Sequence, residues 1–388
     1  MNLLESTLES TFDASARDVN EACALPPLVY TSDEFFEFEK DAIFGHEWLC
    51  VGREDQLANP GDWYAFEIVG EPLLVTRDKN GEIRVLSAVC RHRGMVVAER
   101  AGQESKFTCP YHHWSYGLDG RLLGAPAMER AVDFEKSAHG LPSLPVEIWN
   151  GFVFTSFDRN TAPLAPGLVE LDEPLAGYQL DDAVTLRGKT LTDLPWNWKV
   201  MLENFNDPYH ASRLHEPLQT FAPSGMSDFF AWRDDIRHVS RIQHFTHVDS
   251  SFNPTMKNLL PVFPGLSENE RKRGLFVVIP PTLALAIVPD EVAYFIICPQ
   301  DANTITIDIN YCFNPKQLDV PLFDELFAAA QAGVDNFNVQ DVYADTMVQR
   351  GLRSRFAPRG RYSWQEETLP QLNRWLVRRY RAHCPRPQ

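Results

Sequence analysis

The chain has 388 residues, 44% of them hydrophobic and 23% charged, with a formal net charge of −17. That length supports a large core and more than one domain, and the acidic balance argues against a nucleic-acid partner, which would need clustered Lys and Arg facing phosphates. No run approaches the roughly 20 uncharged apolar residues that span a bilayer. The polar start MNLLESTLESTFDASARDVNEAC has no basic-then-apolar leader pattern, so the expectation is a cytoplasmic protein without a membrane partner.

Residues 31–45, TSDEFFEFEKDAIFG, pair a Ser-Asp start with helical spacing of Phe and Ile and predict a helix. An N-terminal helical segment, 1–45, is expected to pack on the later, larger domain. From Trp48 to about Phe157 the texture changes to short β-rich runs such as DWYAFEIVG and EPLLVTRDKNGEIRVLSAV, where Asn80-Gly81 between two apolar runs is a hairpin signal. The stretch RNTAPLAPGL at 158–167 reads as a linker. Beyond it the patterns predict a strand at VTLRGKTLTDLPWNWKV, a helix then a loop at NWKVMLENFNDPYHASRLHEPL, and strands around 227–248 and 274–313. Helices are predicted at 321–350 and 364–383, the last amphipathic with its arginines on the polar face. The sum is an α+β chain in which a small all-β module, 46–160, is inserted in or precedes a larger domain, 161–388.

Seven scattered cysteines do not form a disulfide framework, and two of them stand beside histidines. In CRHRG and CPYHHW, the residues Cys90, His92, Cys109 and His112 give C-x-H, sixteen residues, then C-x-x-H. Two loops that each offer one thiolate and one imidazole make a four-donor metal site. Zinc accepts Cys₂His₂ donors, although the C-x-H half departs from zinc-finger spacings. The other option is a [2Fe–2S] cluster with two Cys on one iron and two His on the other.

A second constellation lies in LENFNDPYHASRLH, where Asp207, His210 and His215 give D-x-x-H-x-x-x-x-H. On a helix Asp207 and His210 share a face one turn apart. Pro208 suits a first turn rather than a helix interior. His215 falls one residue beyond an i+4 partner, so the helix must end or loosen between the two histidines, as Pro217 supports. Two imidazoles and a carboxylate can form the facial triad that holds non-heme Fe(II); a pair of ordinary core or surface histidines is the plain alternative.

Taken together, Cys90, His92, Cys109 and His112, the flanking CPYHHWSYGLDG, and the D-x-x-H-x₄-H about a hundred residues later resemble the terminal oxygenase (α) subunits of the Rieske non-heme iron oxygenases, over roughly residues 40–380. The resemblance implies a Rieske [2Fe–2S] domain and a helix-grip-like catalytic domain with an antiparallel sheet flanked by helices. It implies one cluster on Cys90, His92, Cys109 and His112, and one mononuclear Fe(II) on His210, His215 and a distant Asp. In NVQDVYADTMVQRGLRS that Asp is Asp341, eight residues before Gln349, ahead of Asp345 and then Asp335. Asp207 then bridges, as an electron-transfer residue, an iron-binding His of one subunit and His112 of the next in a head-to-tail homotrimer. His113 departs from the family, many of whose members have Gly there.

The family uses O₂ as co-substrate and takes electrons, ultimately from NAD(P)H, through a separate reductase or ferredoxin; the chain carries no G-x-G-x-x-G after a strand and no C-x₄-C-x₂-C run of its own. VQRGLRS and GRYSWQE look like the branch that hydroxylates methyl groups on nitrogen, as the choline, betaine and carnitine oxygenases do. The implied reaction is monooxygenation with N- or O-dealkylation, ahead of mono- or dihydroxylation of an aromatic acid. Carnitine oxygenases, however, have Glu where Asp207 stands. An electron carrier with an inactive iron site is a third reading, opposed by the joint presence of His210, His215 and Asp341. Trp196, Asn204, Phe205, Phe221 and Phe337 flank these segments and are candidates for the substrate pocket or for plain core.

Overall fold

A computed structural model describes residues 11–253 and 255–384, so the first ten residues of the expected N-terminal helical segment lie outside the described residues. The chain divides into two compact units, Met1–Gly45 with Pro163–Gln388, and His46–Ala162. The β module is thus an insertion in the larger unit. Helix α1, Asp33–Glu39, opens where the Ser32 hydroxyl accepts the Phe35 amide and continues as a π turn over Lys40–Phe44.

The inserted unit holds eleven strands among its described residues: β1 (Leu49–Arg53), β2 (Asp62–Ile68), β3 (Glu71–Arg77), β4 (Ile83–Ser87), β5 (Ala101–Gln103), β6 (Lys106–Thr108), β7 (Ser115–Gly117), β8 (Leu122–Gly124), β9 (Ser143–Leu144), β10 (Val146–Trp149) and β11 (Phe152–Thr155). They form antiparallel sheets of order β1-β11-β10, β5-β2-β3-β4-β9 and β6-β7-β8. Asn80-Gly81 makes the β3–β4 turn: Gly81 has φ +85°, and the Asp78 carboxylate accepts the amides of Asn80 and Glu82 at 2.8 and 3.1 Å. Leu74, Leu86, Phe107, Trp114 and Tyr116 build a core that also encloses Cys90 and Cys109.

The larger unit is built on a seven-stranded antiparallel sheet. Its strands are β12 (Val184–Leu194), β13 (Ser227–Phe229), β14 (Val239–His244), β15 (Arg273–Ile279), β16 (Leu283–Val288), β17 (Glu291–Asp301) and β18 (Thr304–Phe313), in the order β12-β18-β17-β16-β15-β14-β13. Apolar runs such as LALAIV are buried along their length because the central strands are covered on both faces. Helices α2 (Trp198–Asn206), α3 (Pro208–Ala211), α4 (Phe323–Leu352) and α5 (Thr368–His383) lie in the same unit, with α2 packed on β14, β15 and β17 and against α4 and α5.

A fully buried ion pair locks α2 to α1: Lys199 Nζ donates to both Glu39 carboxylate oxygens at 2.8 Å, and Trp198 Nε1 donates to the same carboxylate at 3.2 Å. Gln349, near the end of α4, accepts the Asn197 amide at 3.1 Å and donates to the Tyr30 carbonyl at 2.9 Å, which holds α4 against the start of α2. Among the described residues no helix is long and apolar enough to cross a membrane.

Candidate metal centres and the adjoining cavity

In the β unit, Cys90 and Cys109 begin two six-residue loops of the same design. The first closes with Cys90 N–H donating to Met95 O and Gly94 N–H to Cys90 O; the second with Cys109 N–H to Trp114 O and His113 N–H to Cys109 O. The fifth residue of each loop is left-handed, Gly94 at φ +75° and His113 at φ +60°. His113 therefore occupies a backbone position that favours glycine, and its side chain is exposed.

The loops sort their donors by kind. Both thiols are buried, and burial, with the Cys90 thiol nearby, pushes the Cys109 thiol up against the pull of the Tyr111 and His112 amides. Tyr116 Oη stands 3.2 Å from Cys90 Sγ. The imidazoles lie at the surface: His92 and His112 have ring centroids 4.5 Å apart, and His92 stacks on Trp114 at 5.0 Å. Loss of solvation, with His92 and Arg93 nearby, holds His112 below the ordinary histidine value, in the neutral form a metal requires.

Donors of a single tetrahedral ion would all stand within about 4 Å of one another. No three of these four do; among the described residues the one cluster of His, Cys, Asp and Glu donor atoms within 4.8 Å is elsewhere. A thiol pair below and an imidazole pair above fit a two-iron group better than one zinc ion.

That other cluster is His210, His215 and Asp341. The residue before a proline avoids helical backbone, so α2 stops at Asp207 (φ −93°, ψ 109°) and α3 restarts at Pro208. Asp207 caps the new helix, its carboxylate accepting Tyr209 N–H at 2.5 Å and His210 N–H at 3.3 Å. It also reaches His210 Nδ1 at 3.3 Å, while Gln340 Oε1 holds His215 Nδ1 at 2.6 Å. With both Nδ1 atoms engaged, the Nε2 atoms converge on Asp341 Oδ1, at 2.9 Å from His215 and 3.6 Å from His210. Donors about 2.1 Å from one ion at right angles stand about 3 Å apart. Burial lowers the His215 proton affinity, and Asp341 and Gln340 together more than restore it.

Of the three aspartates weighed above, only Asp341 faces the imidazoles. Asp345, one turn on, is buried beside Asn204, and burial with Asp341 and Glu203 nearby pushes its carboxyl well above the usual carboxylate range. Asp335 pairs with Lys189 on the exposed side. Asn204 itself donates to Asp341 Oδ1 at 3.5 Å.

A cavity of about 160 Å³ opens beside the three donors, between α2, α4 and one face of the sheet. Alternate residues of four strands line it, including Arg241 and Gln243, Ala286 and Val288, Glu291, Ala293 and Phe295, and Ile307 and Ile309. Trp196, Asn204, Phe205 and Phe337 line it as well. Phe221 does not: it is packed into core against Phe245 and Phe252, with ring centroids 5.6 Å away in each case. Sequence reasoning missed Gln340 and Arg241. Gln340 adjoins Asp341 with no pattern to single it out, and Arg241 reads as one polar position in an alternating strand.

Residues 180–382 match the family model of the ring hydroxylating alpha subunit (catalytic domain), and residues 47–145 that of the Rieske [2Fe-2S] domain. The oxygenase subunit of carnitine monooxygenase from Acinetobacter baumannii is 34% identical over 198 residues, 50% of this chain and 53% of that protein. The large oxygenase component of salicylate 5-hydroxylase from Ralstonia sp. is 36% identical over 216 residues, 51% of this chain and 50% of that protein. The chain spans about half the length of the curated relatives it matches. Among solved structures, a quaternary ammonium Rieske monooxygenase is similar in fold, with a TM-score of 0.79 and 24% identity, covering 95% of this chain and 98% of that one.

Proposed function

Because the chain belongs to the family of ring hydroxylating alpha subunits and carries a Rieske [2Fe–2S] domain, we propose that it is a terminal oxygenase component that hydroxylates a small organic substrate with O₂ and electrons from a separate reductase or ferredoxin. The observation that carries this is the convergence of His210, His215 and Asp341 at the wall of a largely apolar cavity. Cys90, His92, Cys109 and His112 would hold the cluster, and His210, His215 and Asp341 the mononuclear iron. When bound, these groups supply single-electron relay and the chemistry of O₂.

The chain's own residues orient, exclude water and connect. Asp207 and Gln340 fix the rings of His210 and His215, as carboxylate and amide partners of metal-binding imidazoles do. The phenyl walls at Phe205, Phe276, Phe295 and Phe337 keep the substrate side dry. Asp207 is the proposed bridge to His112 of a neighbouring subunit in a head-to-tail trimer. Exposed aromatic side chains at both ends of that bridge, Tyr111 beside His112 and Tyr209 beside Asp207, support burial against another copy, as does the exposed row Val339, Tyr343 and Met347 on α4.

The reaction proposed first is hydroxylation of a methyl carbon on nitrogen, supported by the carnitine-oxidising relative. The added oxygen makes an N-hydroxymethyl group, which breaks its C–N bond to release formaldehyde and the demethylated amine. Ring hydroxylation is the second reading, supported by the salicylate-hydroxylating relative. A panel of N-methyl and aromatic acid substrates, driven by a surrogate reductase, tests the proposal. Substrate-dependent O₂ uptake with formaldehyde fits the first reaction, and a hydroxylated ring without aldehyde the second. Iron-replete protein that consumes no O₂ with any of them contradicts both.

A further inference from the structure

The wall of the cavity carries a buried cation whose donors are only partly used. Arg241, on β14, is 4% exposed and its guanidinium lies over the Phe276 ring, 3.8 Å from the centroid. Its side-chain hydrogen bond runs from Nη1 to Gln243 Oε1 at 3.1 Å. Gln243 is itself fixed, donating to the carbonyls of Pro223 and Met226 at 2.9 and 3.3 Å and accepting from Ser227 Oγ at 2.9 Å. The guanidinium is therefore held in one pose from one side, while its Nε has no acceptor. The anion whose charge acts on it is Asp207, which is occupied with the α3 amides and His210. A cation taken out of water and left without a contact partner is costly, and is kept where something pairs with it.

The rest of the wall has the same imbalance. Trp196 Nε1 and Asn338 Nδ2 are further buried donors without an acceptor, against a single orphan acceptor, Glu291 Oε2. Burial and the neighbouring Asp290 push the Glu291 carboxyl up to about 8, so at neutral pH it is chiefly protonated and adds no anion. Asp207, Asp341 and Asp345 also line the cavity; apart from these carboxyls and the two histidines, its unsatisfied polar atoms are mostly donors and much of the remaining wall is phenyl and aliphatic.

We infer that Arg241 receives a carboxylate of the substrate, which is therefore a small organic acid, its apolar remainder lying among Phe205, Phe276 and Phe295. The planar guanidinium fork matches a carboxylate in two parallel hydrogen bonds, which an amide or hydroxyl cannot reproduce. This rests on the reading that the cavity is the substrate site, and it divides the candidates within both proposed reactions. N-methylated amino acids and aromatic acids satisfy Arg241. A quaternary amine without a carboxylate, or an unsubstituted arene, leaves the cation unpaired.

Isothermal titration under argon tests it with two matched pairs, glycine betaine against choline and benzoate against benzamide. The iron-loaded protein is expected to bind at least one acid about tenfold or more tighter than its partner without the carboxylate. Arg241→Gln is expected to weaken that acid by about 10- to 100-fold and not to weaken the partner that lacks the carboxylate, with Arg241→Lys in between. Equal binding within both pairs, no binding of either acid, or an acid preference that survives Arg241→Gln would overturn the inference. If Arg241→Gln does not fold, the wild-type pairs and Arg241→Lys still decide. Repeating the titration on protein assayed for iron separates the two levels: an Arg241-dependent acid preference in protein that cannot be loaded with iron would sink the oxygenase reading and leave the anion site standing.

Discussion

Replacing Asp207 separates three duties that one carboxylate performs. It accepts two amides at the start of α3 and one imidazole nitrogen, and it stands half-buried where the proposed inter-subunit route passes. Asp207→Ala removes all of these; loss of the cap costs about 1–2 kcal/mol, or a melting temperature lower by roughly 3–6 °C for a unit of this size. Asp207→Asn keeps a carbonyl for the Tyr209 amide, and Asn caps as well as Asp, so stability should change by only a few tenths of a kcal/mol. It forfeits the charge-assisted bond to His210 Nδ1, about 1.5–3 kcal/mol, which weakens ferrous ion binding about 10- to 100-fold. Anaerobic Fe(II) titration followed by turnover at saturating iron resolves the remainder. Filled sites with turnover down by about 100-fold or more are expected for Asp207→Asn. Wild-type turnover in iron-replete Asp207→Asn would refute the bridging role.

Three further outcomes follow from the packing. His113 at φ +60° should make His113→Gly a stabilising change of about 0.5–1 kcal/mol for the β unit, with an unchanged visible spectrum, measured by chemical denaturation; a loss of stability would contradict the strained-loop reading. Lys199→Met leaves the Glu39 carboxylate buried without its cation and should cost about 3–5 kcal/mol, whereas adding Glu39→Gln should restore most of it; thermal melts in which the double variant is worse than the single one would count against this. Glu291, 3% exposed with its carboxyl pushed up to about 8, binds its proton more tightly folded than unfolded. Its contribution is therefore full below about pH 4.5 and is lost as pH rises through 8, up to roughly 5 kcal/mol. Melting temperatures measured from pH 5 to 9 should fall less steeply for Glu291→Gln than for wild type, and parallel curves would be the contrary result.

The local chemistry of the site was legible because metal donors at tight spacing are rare by chance: Cys90, His92, Cys109 and His112 declare two loops, and Asp207-Pro208 declares the break that lets His210 and His215 face one point. Loop design was legible too, since Asn80-Gly81 demands the turn it makes. What depends on tertiary contact was not. Asp341 and Asp345 lie one turn apart on α4, and it is packing near Asn204 and Glu203 that buries Asp345 and pushes its carboxyl up. Phe221 has the same local surroundings as the true lining residues but turns into the Phe245–Phe252 core. Arg241 shares one face of β14 with Val239 and Gln243 like any strand residue at that spacing, and its burial follows from the helices that cover that face. The β unit is inserted in the larger unit, one of the two placements the sequence left open, and the segment before residue 46 groups with the residues after 162.

Iron and acid-labile sulfide, counted on protein reconstituted without oxygen, test the two-centre assignment most directly. About three iron atoms and two sulfides per chain are expected, with His210→Ala losing about one iron and keeping the sulfide, and Cys109→Ser losing the sulfide and about two irons. Zinc without sulfide, or iron that stays at the same level in both variants, would contradict it.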